Sequence, residues 1–286
     1  MRRIIFTLIG LTCGIFINIA HTQAQESPDT RLQLPELAKA DFNTLAQPDF
    51  ARIEKIINAQ TMITKDGKII RLVGMDIPRP PGKQGDIAHK ARAFLAKHLT
   101  GKRVRLYATK DKQTGRKNRM GHHLRHVELR ERNIWVQGAL LANGLARVRT
   151  TVNNAGMSNQ MYKLERKARK QDKGLWANKR YQLLAPETAS KGIGAYQIVQ
   201  GTVKSTAMRG NQIYLNFGSN WRRDLTVSIP PGKRRAFQRE DIDLLKLGGE
   251  KIRARGWLES YNGPYIEIDH PQRLEILDSD SSTDRP

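Results

Sequence analysis

The chain has one cysteine, Cys13, in 286 residues. An internal disulfide is therefore excluded, and so is any zinc site built on cysteine thiolates. Acidic residues are also scarce, with 27 Asp and Glu against 50 Lys and Arg and a formal net charge of +23. Solubility alone does not need such an excess. It attracts polyanions: nucleic acid, anionic lipid or acidic polysaccharide. Long apolar runs are absent beyond the first twenty residues, so no later stretch can cross a membrane.

The first residues read as an export signal. Arg2 and Arg3 form a basic start, Ile4 to Ala20 is largely apolar, and Thr22-Gln23-Ala24 supplies small residues for cleavage. Residues 1–24 are thus expected to direct the protein to the periplasm or the medium. The alternative is an uncleaved membrane anchor, because the apolar run is slightly long for a signal. Cys13 follows Thr12 rather than a small Gly, Ala or Ser, which argues against a lipoprotein site.

Residues 25–47 are polar and contain Pro28 and Pro35, the composition of a linker. The pattern then changes. Arg52–Ile57 and Thr61–Thr64 read as strands, Asp66-Gly67 as a hairpin turn, and Ile69–Met75 as a third strand. Apolar Ile87, Ala91, Phe94, Leu95 and Leu99 recur at helical spacing over Asp86–Leu99, which Gly101 closes. Val104–Tyr107 and Leu124–Arg130 are further strands, and Ile134–Ala142 and Gln160–Gln171 are helices. Three strands, a helix and two strands are the plan of a five-stranded barrel of the OB type. After a short linker at 184–194 the plan repeats. Gln197–Lys204, Gln212–Phe217 and Leu225–Ile229 are strands, Arg234–Leu247 a helix, and Lys251–Glu259 and Tyr265–Ile268 the closing strands. The expected fold is mainly β with α. It comprises a first barrel with helices over 48–183, a second, smaller OB-like barrel over 195–277, and a disordered acidic tail over 278–286.

Three stretches carry chemistry or a signature. Arg71-Leu72-Val73-Gly74-Met75-Asp76-Ile77-Pro78 ends a strand on a carboxylate and turns on a proline. Downstream lie Gly138-Ala139-Leu140-Leu141-Ala142-Asn143-Gly144-Leu145-Ala146-Arg147-Val148 and Gly174-Leu175-Trp176. In that order they resemble the staphylococcal nuclease family, over about residues 50–180. The resemblance implies a phosphodiesterase of DNA and RNA that uses Ca2+ held by carboxylates, a glutamate that activates water, and two arginines that hold the phosphate. A hard cation needs oxygen ligands, and arginines stabilise the charge that develops as water attacks.

Position by position, the chain keeps part of that set. Arg71 matches the strand arginine and Asp76 the strand-end carboxylate, the one candidate metal ligand retained. Gln60, in Asn58-Ala59-Gln60-Thr61, stands where the family has its first carboxylate. Arg79 stands at the general-base glutamate. In Asn118-Arg119-Met120-Gly121-His122 the second phosphate-binding arginine is His122, and Met120 replaces an aromatic. Replacing an anion by a cation beside a divalent ion reverses an interaction of roughly 4 kcal/mol at 4 Å. Loss of the base costs about a hundred- to ten-thousandfold in rate. Catalysis is therefore expected to be absent or inefficient, unless a shifted alignment brings in Asp66 or Asp86. On a plainer reading, Asp76 closes a strand-end turn and Arg71 is its ion-pair partner. His122, His123 and His126 invite a metal, but no third ligand adjoins them, and a basic strand beside a groove accounts for them better.

Charge points to binding. Residues 101–180 hold 21 Lys and Arg against five acids. Lys110, Lys112, Arg116, Lys117 and Arg119 crowd one loop, and Lys163, Arg166, Lys167, Arg169 and Lys170 one helix. This pattern tracks phosphates without a base code. In the second barrel, Trp221, Arg222 and Arg223 in a loop suit stacking on single strands, and Tyr214 and Trp257 are either core or stacking residues. Three functions remain: a nuclease-like protein that binds nucleic acid or another polyanion, a weak or metal-shifted nuclease centred on Arg71 and Asp76, and an envelope protein that meets anionic polymers.

Overall fold

A computed structural model describes residues 40–78, 87–220 and 222–277. The export signal, Arg79, Asp86, Trp221 and the acidic tail lie outside the described residues. Fifteen strands (β1–β15) and four α-helices (α1–α4) follow one another along the described chain, with short 3-10 turns between them.

The first barrel is built from β1 (Asp49–Asn58), β2 (Thr61–Thr64), β3 (Ile69–Leu72), β5 (Arg103–Tyr107) and β6 (His123–Leu129). Long β1 pairs with β2 at one end and β5 at the other, β5 pairs with β6, and parallel β3–β6 pairing closes the ring. Alternation along the strands sends Ile53, Met62, Ile70, Val104 and Val127 inward. Helix α1 (Ile87–Leu99) buries Ala91, Phe94, Leu95 and Leu99 on one face, the stripe expected from their spacing.

The expected third strand is shorter than read. It stops at Leu72, and the chain turns at Gly74 (φ +78°) and resumes as β4 (Met75–Asp76), which leaves the barrel to pair with β8 (Arg147–Val148). A side chain at Gly74 would collide with the Met161 sulfur, 2.8 Å from an ideal Cβ. The helix read over Ile134–Ala142 begins as strand β7 (Ile134–Trp135) and becomes α2 (Val136–Ala142). Helix α3 (Ser158–Lys170) packs against α2. The two signature glycines meet: a Cβ on Gly144 would lie 2.0 Å from Lys173 O, and one on Gly174 2.3 Å from Gly144 O. Backbone contact that close admits only glycine.

The second barrel repeats the topology. Its first strand is bent at Val203–Lys204 into β9 (Ala195–Thr202) and β10 (Ser205–Arg209), each half pairing on a different side. β10 pairs with β11 (Gln212–Asn216), β11 with β12 (Thr226–Ile229), and parallel β12–β14 pairing joins β14 (Pro264–Glu267) to the ring. β13 (Lys251–Ser260) links β14 back to β9. The core includes Val199, Leu215, Val227, Phe237, Ile252 and Ile266. The helix read over Arg234–Leu247 is cut to α4 (Arg234–Gln238), because Asp241 takes φ +55° and a 3-10 turn follows at Leu244–Lys246. A short β15 (Leu274–Ile276), not expected, adds to β13.

Both stretches read as linkers are packed where they are described. Phe42 stacks on Tyr107 with centroids 4.0 Å apart, and Leu45 is buried. Between the barrels, 3-10 residues Pro186–Gly192 lay Ala189 into the second core. The outer face of β13 and β9 is pressed onto α3. Arg255 is fully buried and donates to Glu165 at 2.9 Å and to Glu275. Glu275 also meets Arg166 at 3.0 Å and Arg253 at 3.4 Å. Ile198 of β9 joins Ala168, Leu175 and Trp176 in an apolar cluster. Both barrels, as far as they are described, belong to one compact unit.

Candidate functional site

Strand β4 delivers Asp76 to a cleft of about 410 Å³ where the two barrels meet. The first barrel contributes Asn58, Gln60, Arg71, Asp76, Arg147 and Arg149; the chain beyond it contributes Arg180, Tyr181, Tyr196, Gln197 and Trp257. Asp76 is held from across the β4–β8 pair. Arg147 donates Nε and Nη2 to Asp76 Oδ2 at 3.0 and 2.9 Å, and Arg149 approaches Oδ1 at 3.7 Å. Arg147 Nη1 also donates to Tyr196 O at 2.7 Å. The Tyr196 ring lies beneath both guanidiniums, 4.9 Å from Arg147 and 5.1 Å from Arg149. Arg71 does not pair with Asp76, as the plainer reading expected. It donates to Gln60 Oε1 at 3.0 Å, while Gln60 Nε2 donates to Met75 O at 3.1 Å.

Among the described residues the cleft lining thus holds four guanidiniums and one carboxylate, whose two oxygens both face arginines. Such a donor set does not fit Ca2+. Gln60 spends its oxygen on Arg71, Asp76 is already neutralised, and a hard cation needs six to eight oxygens. Among the described residues no group of three or more His, Cys, Asp or Glu side chains is placed to hold a metal ion. Asp66 does not line the cleft; it caps its own hairpin, paired to Lys68 at 2.7 Å, and its carboxyl is pulled down to about 2 by Lys68 and Thr64.

The other residues singled out are placed as follows. His122 and the Lys110–Arg119 loop do not line the cleft. Lys110, Lys112, Lys117 and Arg119 are exposed, whereas Arg116 is pinned by the Asp111 and Lys110 carbonyls at 2.8 and 3.2 Å. His123 is held below its ordinary value by partial burial and by Arg125 and Lys117. His126 does not border a groove. It is buried beside Trp135, with ring centroids 5.6 Å apart, and burial pushes it down to about 3. Of the helix cations, Lys163, Lys167 and Lys170 are exposed, but Arg166 turns to Glu275 and Arg169 is buried beside Glu165. Arg222 and Arg223 are exposed on the turn after β11. Tyr214 is half-buried on the outer face of β11.

Residues 69–178 match the family model described as staphylococcal nuclease homologue. The chain carries a staphylococcal nuclease-like domain. The match covers the closing strands of the first barrel, Asp76, both arginines that bind it, and the two glycines in contact. No curated protein matches the chain significantly. A domain of this family implies a nuclease-like or nucleic-acid-binding protein. Among the described residues no helix is long and apolar enough to cross a membrane.

Arg147, Arg149, Tyr196 and Trp257 were not singled out for this site from the sequence. Arg147 and Arg149 had a signal, since residues two apart in extended chain share a face and both sit beside the Gly144-Leu145-Ala146 signature. Trp257 was read only as a core or stacking residue of the second barrel and Tyr196 had no signal, because both reach the cleft through the packing of one barrel on the other.

Proposed function

We propose that this protein binds single-stranded nucleic acid, or a polyanion of like spacing, in a nuclease-derived cleft that takes phosphate where its relatives take a metal, and that it does so without efficient catalysis. The observation that carries this reading is the Arg147–Asp76–Arg149 arrangement, with Arg71 and Arg180 beside it. Phosphate oxygens suit bidentate guanidinium donors. Trp257, half-exposed at the cleft wall, offers a face on which a base can stack. The exposed cations of the 110–119 loop add positive surface outside the cleft. Export to the periplasm or the medium belongs to the same proposal and rests on residues 1–24.

One substitution separates the phosphate reading from a nuclease reading. Asp76→Asn removes the only carboxylate among the described lining residues while keeping an oxygen for Arg147. If the cleft takes phosphate, affinity for an oligothymidylate rises severalfold, and no Ca2+-dependent cleavage appears before or after the change. A wild-type protein that cleaves single-stranded DNA with Ca2+, and loses that activity with Asp76→Asn, overturns the proposal.

A further inference from the structure

The outer face of the second barrel carries a second recess, of about 210 Å³, away from the cleft residues. Three tyrosines surround it: Tyr214 from β11, Tyr265 from β14 and Tyr261 from the β13–β14 hairpin. Arg209, Asn216, Thr226 and Asn262 complete its polar edge. We infer that this recess is a nucleobase-stacking subsite for single-stranded nucleic acid, continuous with the cleft. The inference rests on the phosphate reading of the cleft and adds where the strand goes next.

The rings are fixed in advance. The Tyr265 hydroxyl bonds Ser228 and accepts from Gln212 Nε2 at 3.1 Å, which ties its ring to the neighbouring strands. Tyr261 meets it edge-on, centroids 5.4 Å apart, and stays 63% exposed. An aromatic that exposed gains nothing from burial. The hairpin tip is rigid: Asn262 and Gly263 both take positive φ, +47° and +90°, the turn that Asn-Gly favours. A Cβ on Gly263 would lie 2.5 Å from the Arg223 carbonyl, so the tip rests directly on the Arg222–Arg223 turn. Cations thus flank the tyrosines on two sides, Arg209 on one and Arg222 and Arg223 on the other.

Strand register makes the two sites one surface. Glu259 pairs with Tyr265, Tyr265 with Thr226, and Thr226 with Asn216, so these four share a face. Tyr214 and Trp257 lie two residues from Asn216 and Glu259 on their strands and share it too. From the Trp257 strand to the Tyr214 strand is three steps across the sheet, about 14 Å at roughly 4.8 Å per step. A few nucleotides span that distance, within the roughly 4–16 that one OB barrel covers. Glu259 and Glu267 lie on the same face between the ends. They disfavour phosphate there, so phosphate contacts belong at the cleft arginines and at Arg209, Arg222 and Arg223, with bases between.

The test uses the full chain and fluorescein-labelled oligothymidylates three and twelve nucleotides long. Tyr214→Leu with Tyr261→Ala should weaken the twelve-mer by roughly five- to a hundredfold, leave the three-mer unchanged, and leave the salt slope unchanged, since no cation is removed. Twelve-mer affinity equal to wild type overturns the subsite, as does an equal loss for both lengths. Tyr261→Trp, at an exposed position, should add indole quenching beyond that of wild type with the twelve-mer and none beyond it with the three-mer; no added quenching with the twelve-mer overturns the subsite. Wild-type protein that binds both lengths equally well keeps the cleft and removes the subsite, whereas binding of neither removes both.

Discussion

Arg255 is the residue whose loss should most affect the union of the two barrels. It is fully buried, bonded to Glu165 and Glu275, and stacked over the Tyr162 ring at 4.3 Å. Arg255→Met keeps much of the volume and removes the charge. Glu275 retains Arg166 and Arg253, but Glu165, also fully buried, is left with the Val148 N–H at 2.6 Å and Arg169 at 3.7 Å. A carboxylate stranded in this way costs about 3–5 kcal/mol. For a unit of this size each kcal/mol moves the melting temperature by roughly 2–4 °C, so a fall on the order of 10 °C is expected. The assay is thermal denaturation followed by circular dichroism at neutral pH, in low and high salt. The loss should be nearly independent of salt, because buried pairs are little screened. Adding Glu165→Gln to the variant removes the stranded charge and should restore much of the stability. A variant that melts within about 1 kcal/mol of wild type, or a wild type whose barrels melt in two separate steps, refutes the argument that this network fuses them.

Acid should destabilise the protein in two stages. His126 is neutral in the fold, with its value pushed down to about 3 by burial, so its contribution is complete above the unfolded value near 6.5 and is lost as pH falls from there towards 3. Urea midpoints at pH 7 and 5 should differ in wild type and differ less in His126→Leu, His123 accounting for part of what remains; an unchanged pH slope in that variant refutes the assignment. Burial pushes the Glu275 carboxyl up, but Arg255 and Arg253 outweigh it and hold it below the usual range, so its contribution is lost only below about pH 4.5. A Glu275→Gln variant should therefore flatten the lower stage and leave the upper one. Replacing the exposed Lys112, Lys117 and Arg119 by alanine should reduce the slope of log affinity against log salt for single strands by up to about 2, at roughly 0.7 per phosphate contact, for all sequences alike. An unchanged slope means that the loop does not face the ligand.

Local periodicity made most of the fold legible. Alternation marked the strands, the Ala91–Phe94–Leu95–Leu99 spacing marked α1, and the repeated order of elements marked two barrels of one plan. Two misreadings share one cause, a backbone break with weak local signal. Gly74 ends β3 and Asp241 ends α4, each through positive φ that apolar patterning does not encode. The bend at Val203–Lys204 and the strand β15 depend on partners elsewhere in the ring. The packed segments at 40–47 and 184–194 have linker composition, and only their contacts show that they are held.

The cleft was half legible for a different reason. Gln60, Arg71 and Asp76 could be aligned with a family one at a time, but alignment does not say which charge meets which. Charge scarcity constrains the answer: where a chain this basic keeps one carboxylate among the described residues of a cleft, cations from nearby strands are at hand to neutralise it. Register supplies them, since pairing Asp76 with Arg147 across β4–β8 sets the guanidinium beside the carboxylate. The same pairing carries Arg149, two residues on, to the other oxygen. The second barrel then fixes the result by placing the Tyr196 ring and carbonyl against Arg147. If the barrels are joined through Arg255 as argued above, loosening that network must also loosen the cleft. Arg255→Met should therefore weaken oligothymidylate binding as well as stability, whereas two independent modules would lose stability alone.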